Sequence, residues 1–116
     1  MKRLLIASQS KNIAGILAEY FQKEYEVYTC TDGNIAIQLL QTITPDILII
    51  GLTLSDITGL SVLQQTTYKP PVIIAFTNYL TDSILQEVQT LGAGAVIRFP
   101  CSIDCIASHL NRLQSK

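Results

Sequence analysis

Asp46-Ile47-Leu48-Ile49-Ile50-Gly51-Leu52 is an almost unbroken apolar run, and Val72-Ile73-Ile74-Ala75-Phe76 is a second. A strand with one wet face alternates apolar and polar residues. Continuous short runs rich in Ile and Val read instead as strands of a parallel sheet covered on both faces. Outward from these two lie weaker versions of the same signal at Arg3 to Ala7, Tyr25 to Cys30 and Ala95 to Phe99. With Asp46 to Leu52 and Pro71 to Phe76 they make five predicted strands.

Helical patterns fill the intervals. Ile13, Ile16, Leu17, Tyr20 and Phe21 stand at i, i+3, i+4, i+7 and i+8, a single stripe along one face. Ser10 is placed to cap that helix. Ile35, Leu39 and Leu40 follow Asp32-Gly33, where Asp32 is the expected N-cap. Leu60 and Leu63 mark a shorter third helix. Ile84, Leu85, Val88 and Leu91 mark a fourth, opened near Thr81 and closed by Gly92. Ile103, Ile106, Leu110 and Leu113 mark the last, after Pro100. Strict alternation of strand and helix predicts an α/β fold: a doubly wound (βα)5 sandwich, one domain over residues 1–116, with a five-stranded parallel sheet in the order 2-1-3-4-5. Ligand sites in this architecture lie beyond the carboxyl ends of the strands. Those ends are Ser8-Gln9, Gly51-Leu52-Thr53, Thr77-Asn78 and Phe99-Pro100.

Composition narrows the function classes. Of 116 residues, 48% are hydrophobic and 15% charged, which excludes a disordered segment. Eight Lys plus Arg against nine Asp plus Glu leave a net charge of −1, without the basic footprint of a nucleic-acid binder. No apolar run approaches the roughly 18 residues that cross a bilayer. The basic start at Lys2-Arg3 is followed only by Leu4-Leu5-Ile6-Ala7, too short for a signal peptide. A cytoplasmic location with no membrane contact is expected. Three cysteines, Cys30, Cys101 and Cys105, are an odd number in a domain able to fold without staples, so no disulfide framework is expected.

These segments resemble, in order and spacing, the receiver domain of bacterial two-component response regulators. Lys2 to Ser10 stands where the family has its first strand and an acidic pair. Pro45 to Leu54 matches the third strand up to the phospho-acceptor, and Gly59-Leu60 the pair that follows. Pro71 to Thr77 resembles the fourth strand with its terminal hydroxyl, and Gly92 to Pro100 the fifth through a lysine-proline step. The resemblance covers essentially the whole chain and implies the CheY-like, flavodoxin-like fold. In an active receiver the acidic pair and acceptor aspartate hold Mg²⁺, and the lysine balances the phosphoryl charge. Here those positions are Ser8-Gln9, Gly51 and Phe99. Mg²⁺ needs hard, preferably anionic oxygens, and Gly51 has no atom that could form an acyl phosphate. No metal and no cofactor are therefore expected. Ser8, Gln9, Gly51, Thr53, Thr77 and Phe99 form the expected degenerate pocket, with Phe99 filling space above Gly51. Thr77 keeps the family's hydroxyl, but the aromatic that moves with it is replaced by Val96.

Other chemistry does not assemble. Asp46 lies five residues before Gly51, roughly 16 Å away at the opposite sheet edge. Asp56, in the loop beyond Gly51, has no partner acids nearby; surface or capping roles are expected for both. Cys101, Cys105 and His109 run i, i+4, i+8 over about 12 Å of helix, too far to close on zinc at bonds of about 2.3 Å. Gly92-Ala93-Gly94 precedes a strand, so it is no dinucleotide fingerprint. No nucleophile and base pair emerges at the strand ends, so no enzyme activity is expected. The resemblance implies a signalling module contacting a protein, whether a signalling partner, an output domain or a second copy. It would use the family's face of fourth helix, fifth strand and fifth helix, here Ile84, Val88, Val96, Arg98, His109 and Arg112. Tyr68 and Tyr79, near helix ends, are also compatible with a partner surface. Both a stand-alone regulator and the N-terminal part of a transcriptional regulator fit. The alternative is a small-molecule sensor using the pocket near Ser8, Gln9, Thr77 and Phe99.

Overall fold

The apolar run at Ile47–Gly51 is the middle strand of the sheet, and every one of its side chains is buried. The computed structural model describes residues 1–54 and 56–114. Along the chain it runs β1 (Arg3–Ala7), α1 (Lys11–Phe21), β2 (Glu26–Cys30), α2 (Gly33–Thr42), β3 (Ile47–Gly51), α3 (Gly59–Gln65), β4 (Val72–Thr77), α4 (Asp82–Thr90), β5 (Ala95–Arg98) and α5 (Ile103–Gln114). The strands are parallel in the order β2-β1-β3-β4-β5, as the alternation predicts. β1 has the expected bounds, and the other four strands differ from theirs by one residue at one or both ends, because ladder pairing rather than hydrophobicity sets them.

The period of two along each strand sorts the core into two layers. Leu4, Ile6, Ile47, Ile49, Ile74 and Ile97 point to one side and pack against α1 and α5 through Leu17, Phe21, Ile106 and Leu110. Leu5, Ala7, Leu48, Ile50, Ile73 and Ala75 point to the other and meet α2, α3 and α4 through Ala36, Leu40, Val62, Leu63 and Val88. Burying a Leu or Ile side chain contributes about 1.5–3 kcal/mol relative to exposure, so the strands that carry these residues anchor both layers.

Capping follows the sequence at two helices and departs from it at a third. Ser10 Oγ accepts from the Ile13 N–H at 3.2 Å, and Thr81 Oγ1 accepts from the Ile84 N–H at 3.2 Å. Gly92, at φ +109°, turns the chain out of α4 in a conformation that disfavours any side chain. At α2, Asp32 occupies the N-cap position, but its side chain makes no capping bond. The cap comes from the β3–α3 loop instead: Asp56 Oδ1 accepts from the Gly33 N–H at 2.6 Å, and Oδ2 from the Asn34 N–H at 3.2 Å. Asp46 is also structural, taking the Arg3 N–H on Oδ2 at 2.9 Å at the amino end of the sheet. Tyr68 is spent internally as well, its hydroxyl donating to the Pro45 carbonyl at 2.8 Å. Tyr79 remains exposed.

Candidate functional site

The carboxyl ends of β1, β3, β4 and β5 surround one crevice, a cavity of about 370 Å³. Every expected pocket residue lines it: Ser8, Gln9, Gly51, Thr53, Thr77 and Phe99. The fold brings them together because parallel strands end on the same edge, whatever their distance in sequence. Register completes the alignment, with Gly51 opposite Phe76 and Thr77 opposite Arg98. Ile13, Phe76, Asn78 and Pro100 add to the wall.

The space above Gly51 belongs to a different ring from the expected one. Atoms Cε2 and Cζ of Phe76 lie 3.0 Å from where a Gly51 Cβ would stand. Phe99 lies against Phe76, ring centroids 4.3 Å apart and planes inclined by 17°. The two form an aromatic stack, Phe76 buried beneath a half-buried Phe99. Phe76 and Gly51 share the α1/α5 side of neighbouring strands, so the ring reaches across to the residue without a side chain. The period-two pattern carried that signal, since Phe76 falls on the same side as Ile74 and Val72.

The polar groups are uncharged. Ser8 is buried, and its Oγ accepts the Ser10 N–H at 3.2 Å. Thr77 Oγ1 accepts the Tyr79 N–H at 3.2 Å and donates to the Tyr79 carbonyl at 3.4 Å, closing the turn after β4. Thr53 is exposed and bridges to Thr58 ahead of α3. Gly59 closes this turn tightly: its N–H donates to the Leu52 carbonyl at 3.0 Å, and a Cβ there would collide with the Gly51 carbonyl. Among the described residues lining the crevice, none is acidic or basic. No group of three or more His, Cys, Asp or Glu among the described residues could hold a metal ion.

Asp56 is the carboxylate nearest in sequence beyond Gly51, and it is committed elsewhere. Besides those two N–H groups of α2 it accepts from the Asn34 side-chain amide at 2.8 Å and from the Ile57 N–H at 2.8 Å. Desolvation raises its pKa, but the N–H donors of Gly33, Asn34 and Ile57 outweigh it and hold the carboxyl below its usual value. Cys30, at the end of β2, is pushed up to about 11 by burial and then by Asp32 and Asp56.

On the α4–β5–α5 side, Arg98 and Arg112 are exposed, while Ile84, Val96 and His109 are partly so. His109 Nδ1 and Arg112 Nη2 stand 3.1 Å apart on one turn of α5. Val88 does not belong to this surface: it is fully buried, and its side chain is part of the core beneath α4. Ile84, one turn earlier on the same stripe, is only partly buried against that core and so stays at the edge of the face, whereas Val88 is turned fully inward.

The response regulator receiver domain family matches residues 4–111 of the chain. Among solved structures, the chemotaxis protein CheY4 of Vibrio cholerae aligns with a TM-score of 0.85 at 25% identity, over 97% of this chain and 98% of that one. The non-phosphorylated HemR receiver domain of Leptospira biflexa aligns with a TM-score of 0.87 at 19% identity, over 100% of this chain and 96% of that one. A response regulator of Burkholderia pseudomallei, solved with a phosphorylated aspartic acid, a calcium ion and citrate, aligns with a TM-score of 0.85 at 20% identity, over 99% of this chain and 72% of that one.

Proposed function

The chain belongs to the response regulator receiver domain family of two-component signal transduction, and we propose that within it this chain works as a pseudo-receiver, independent of aspartate phosphorylation. The observation that carries this reading is the pairing of Gly51 with Phe76. The position that ends β3 has no nucleophile, and an aromatic ring stands where its side chain would project. Acyl-phosphate formation needs a carboxylate, and Mg²⁺ needs anionic oxygens in near-octahedral array. Ser8, Gln9 and Gly51 supply neither. The loss is balanced: removing acids and lysine together avoids an unpaired buried charge.

Receiver domains are generally non-enzymatic modules that act by contacting kinases and output domains. For this chain we assign the contact to a protein, either a signalling partner, an output domain or a second copy. The assigned face is Ile84, Val96, Arg98, His109 and Arg112, without Val88. The net charge of −1 argues against nucleic acid as the direct partner. Among the described residues no helix is long and apolar enough to cross a membrane. A cytoplasmic setting fits this reading.

The test is incubation with acetyl phosphate and Mg²⁺ followed by intact-mass measurement. The mass stays unchanged if the reading holds, and addition of one phosphoryl group overturns it. Millimolar Mg²⁺ should likewise leave the melting temperature unmoved, since a ligand that binds the native state raises it in proportion to ln(1 + [L]/Kd).

A further inference from the structure

We propose that the strand-end crevice binds an uncharged, planar heteroaromatic molecule, seated against Phe99 and held by the carboxamides of Gln9 and Asn78. This rests on the reading above that the crevice carries no phosphorylation chemistry and adds to it the class of ligand. The volume, about 370 Å³, lies within the roughly 300–1,000 Å³ of small-molecule pockets and suits one or two fused rings better than a larger ligand.

The lining selects against charge. An ion entering this crevice would give up its hydration without meeting an opposite charge among the described lining residues. The walls select for flatness. Phe76 covers one side of Phe99 in a near-parallel stack, and half-buried Phe99 also lines the cavity. A further ring set against Phe99 would extend that stack.

The polar groups select for an edge carrying both donor and acceptor. Gln9 and Asn78 are exposed at the rim, and neither side chain has a hydrogen-bond partner among the described residues. Each carboxamide offers two N–H donors and an acceptor oxygen. Ser8 adds a third group. It is 2% exposed and its Oγ accepts from Ser10, yet its own proton has no acceptor among the described residues. A buried hydroxyl with an unused donor bordering a cavity is matched by an acceptor on whatever fills it. An amide-like or amidine-like ring edge satisfies the set, as in nucleobases.

Titration of the ¹⁵N-labelled full chain with adenine and with thymine tests this, with AMP as the charged comparator. The expected result is saturable movement of the Ser8, Gln9, Thr77, Asn78 and Phe99 amide resonances with at least one neutral base. AMP should bind about tenfold or more weakly. Phe99→Leu should weaken binding by a similar factor, and Gln9→Ala, at an exposed position that leaves the fold intact, should weaken it severalfold. No saturable movement with either base overturns the proposal. So does movement that persists unchanged in both variants, or AMP binding as tightly as adenine. A phosphoryl adduct with acetyl phosphate would instead remove the reading beneath it. A silent titration of an unmodified protein removes this inference alone.

Discussion

Gly51 and Phe76 face one another across β3 and β4, and the phenyl ring stands 3.0 Å from where any Cβ on Gly51 would be. The glycine and the ring are therefore one feature: the absence of a side chain on β3 makes room for the ring on β4, and Phe99 stacks on it at a centroid distance of 4.3 Å.

Putting the family's aspartate back should therefore fail. Gly51→Asp forces a carboxylate against the Phe76 ring in a crevice with no basic side chain among its described lining residues, and overpacking of this kind costs about 1–3 kcal/mol. The urea midpoint should fall, and acetyl phosphate with Mg²⁺ should still leave the mass unchanged. Gly51→Asp combined with Phe76→Ala should be less destabilised than the two single effects added together, because the pair share one space. Strict additivity would show that the ring does not occupy that space in solution.

Asp56 holds the β3–α3 loop to the amino end of α2, and no side-chain bond from Asp32 substitutes for it. Asp56→Ala should lower the melting temperature by several degrees, whereas Asp32→Ala should lower it much less. The wild-type contribution depends on pH in a defined direction. The folded pKa lies below the ordinary 3.8, so the stabilisation is complete above that value and is lost as pH falls through the lowered one. Thermal melts between neutral pH and pH 2 should show a steeper acid loss in the wild type than in Asp56→Ala. Parallel curves would refute the capping role.

The cysteines should separate by reactivity. Cys30 is buried with a pKa near 11, so at pH 8 roughly one molecule in a thousand carries the thiolate. Cys101 and Cys105 are half-buried on the approach to and first turn of α5. Iodoacetamide at pH 8 should modify Cys101 and Cys105 in the native protein, and all three cysteines in urea. Native labelling of Cys30 at a comparable rate would show that the end of β2 is open.

Two neighbours of the α4–β5–α5 side should behave in opposite ways. Val88→Ala empties part of the layer beneath α4 and should cost roughly 2 kcal/mol. Arg98→Ala, at an exposed strand end, should stay within about 0.5 kcal/mol of wild type. Chemical denaturation of the two variants checks both, and equal losses would show that Arg98 is part of the fold rather than available to a partner.

How much was legible in the sequence varied with the distance over which the deciding interaction acts. The unbroken run at Ile47 to Ile50, set in the alternation of strands and helices, pointed to a central strand, because a parallel strand covered on both faces buries successive side chains. Ser10 and Thr81 announced their helices because a cap acts three residues away. Asp32 misled for the complementary reason: it holds the right local position, but an aspartate 24 residues later accepts from the first N–H groups of α2. Val88 misled because a partner face inferred from a resemblance says nothing about which side of α4 is turned inward.

The residues gathered at the crevice follow from the chain alone, since alternating strands and helices deliver Ser8, Gln9, Gly51, Thr53, Thr77 and Phe99 to one edge of a parallel sheet. What fills the crevice was decided only in three dimensions. Phe76 and Phe99 both lie far from Gly51 in sequence, and which ring lies over the glycine depends on strand register and side-chain orientation. Periodicity encodes the side of the sheet a residue faces; contact between strands is settled by how their side chains share a fixed volume.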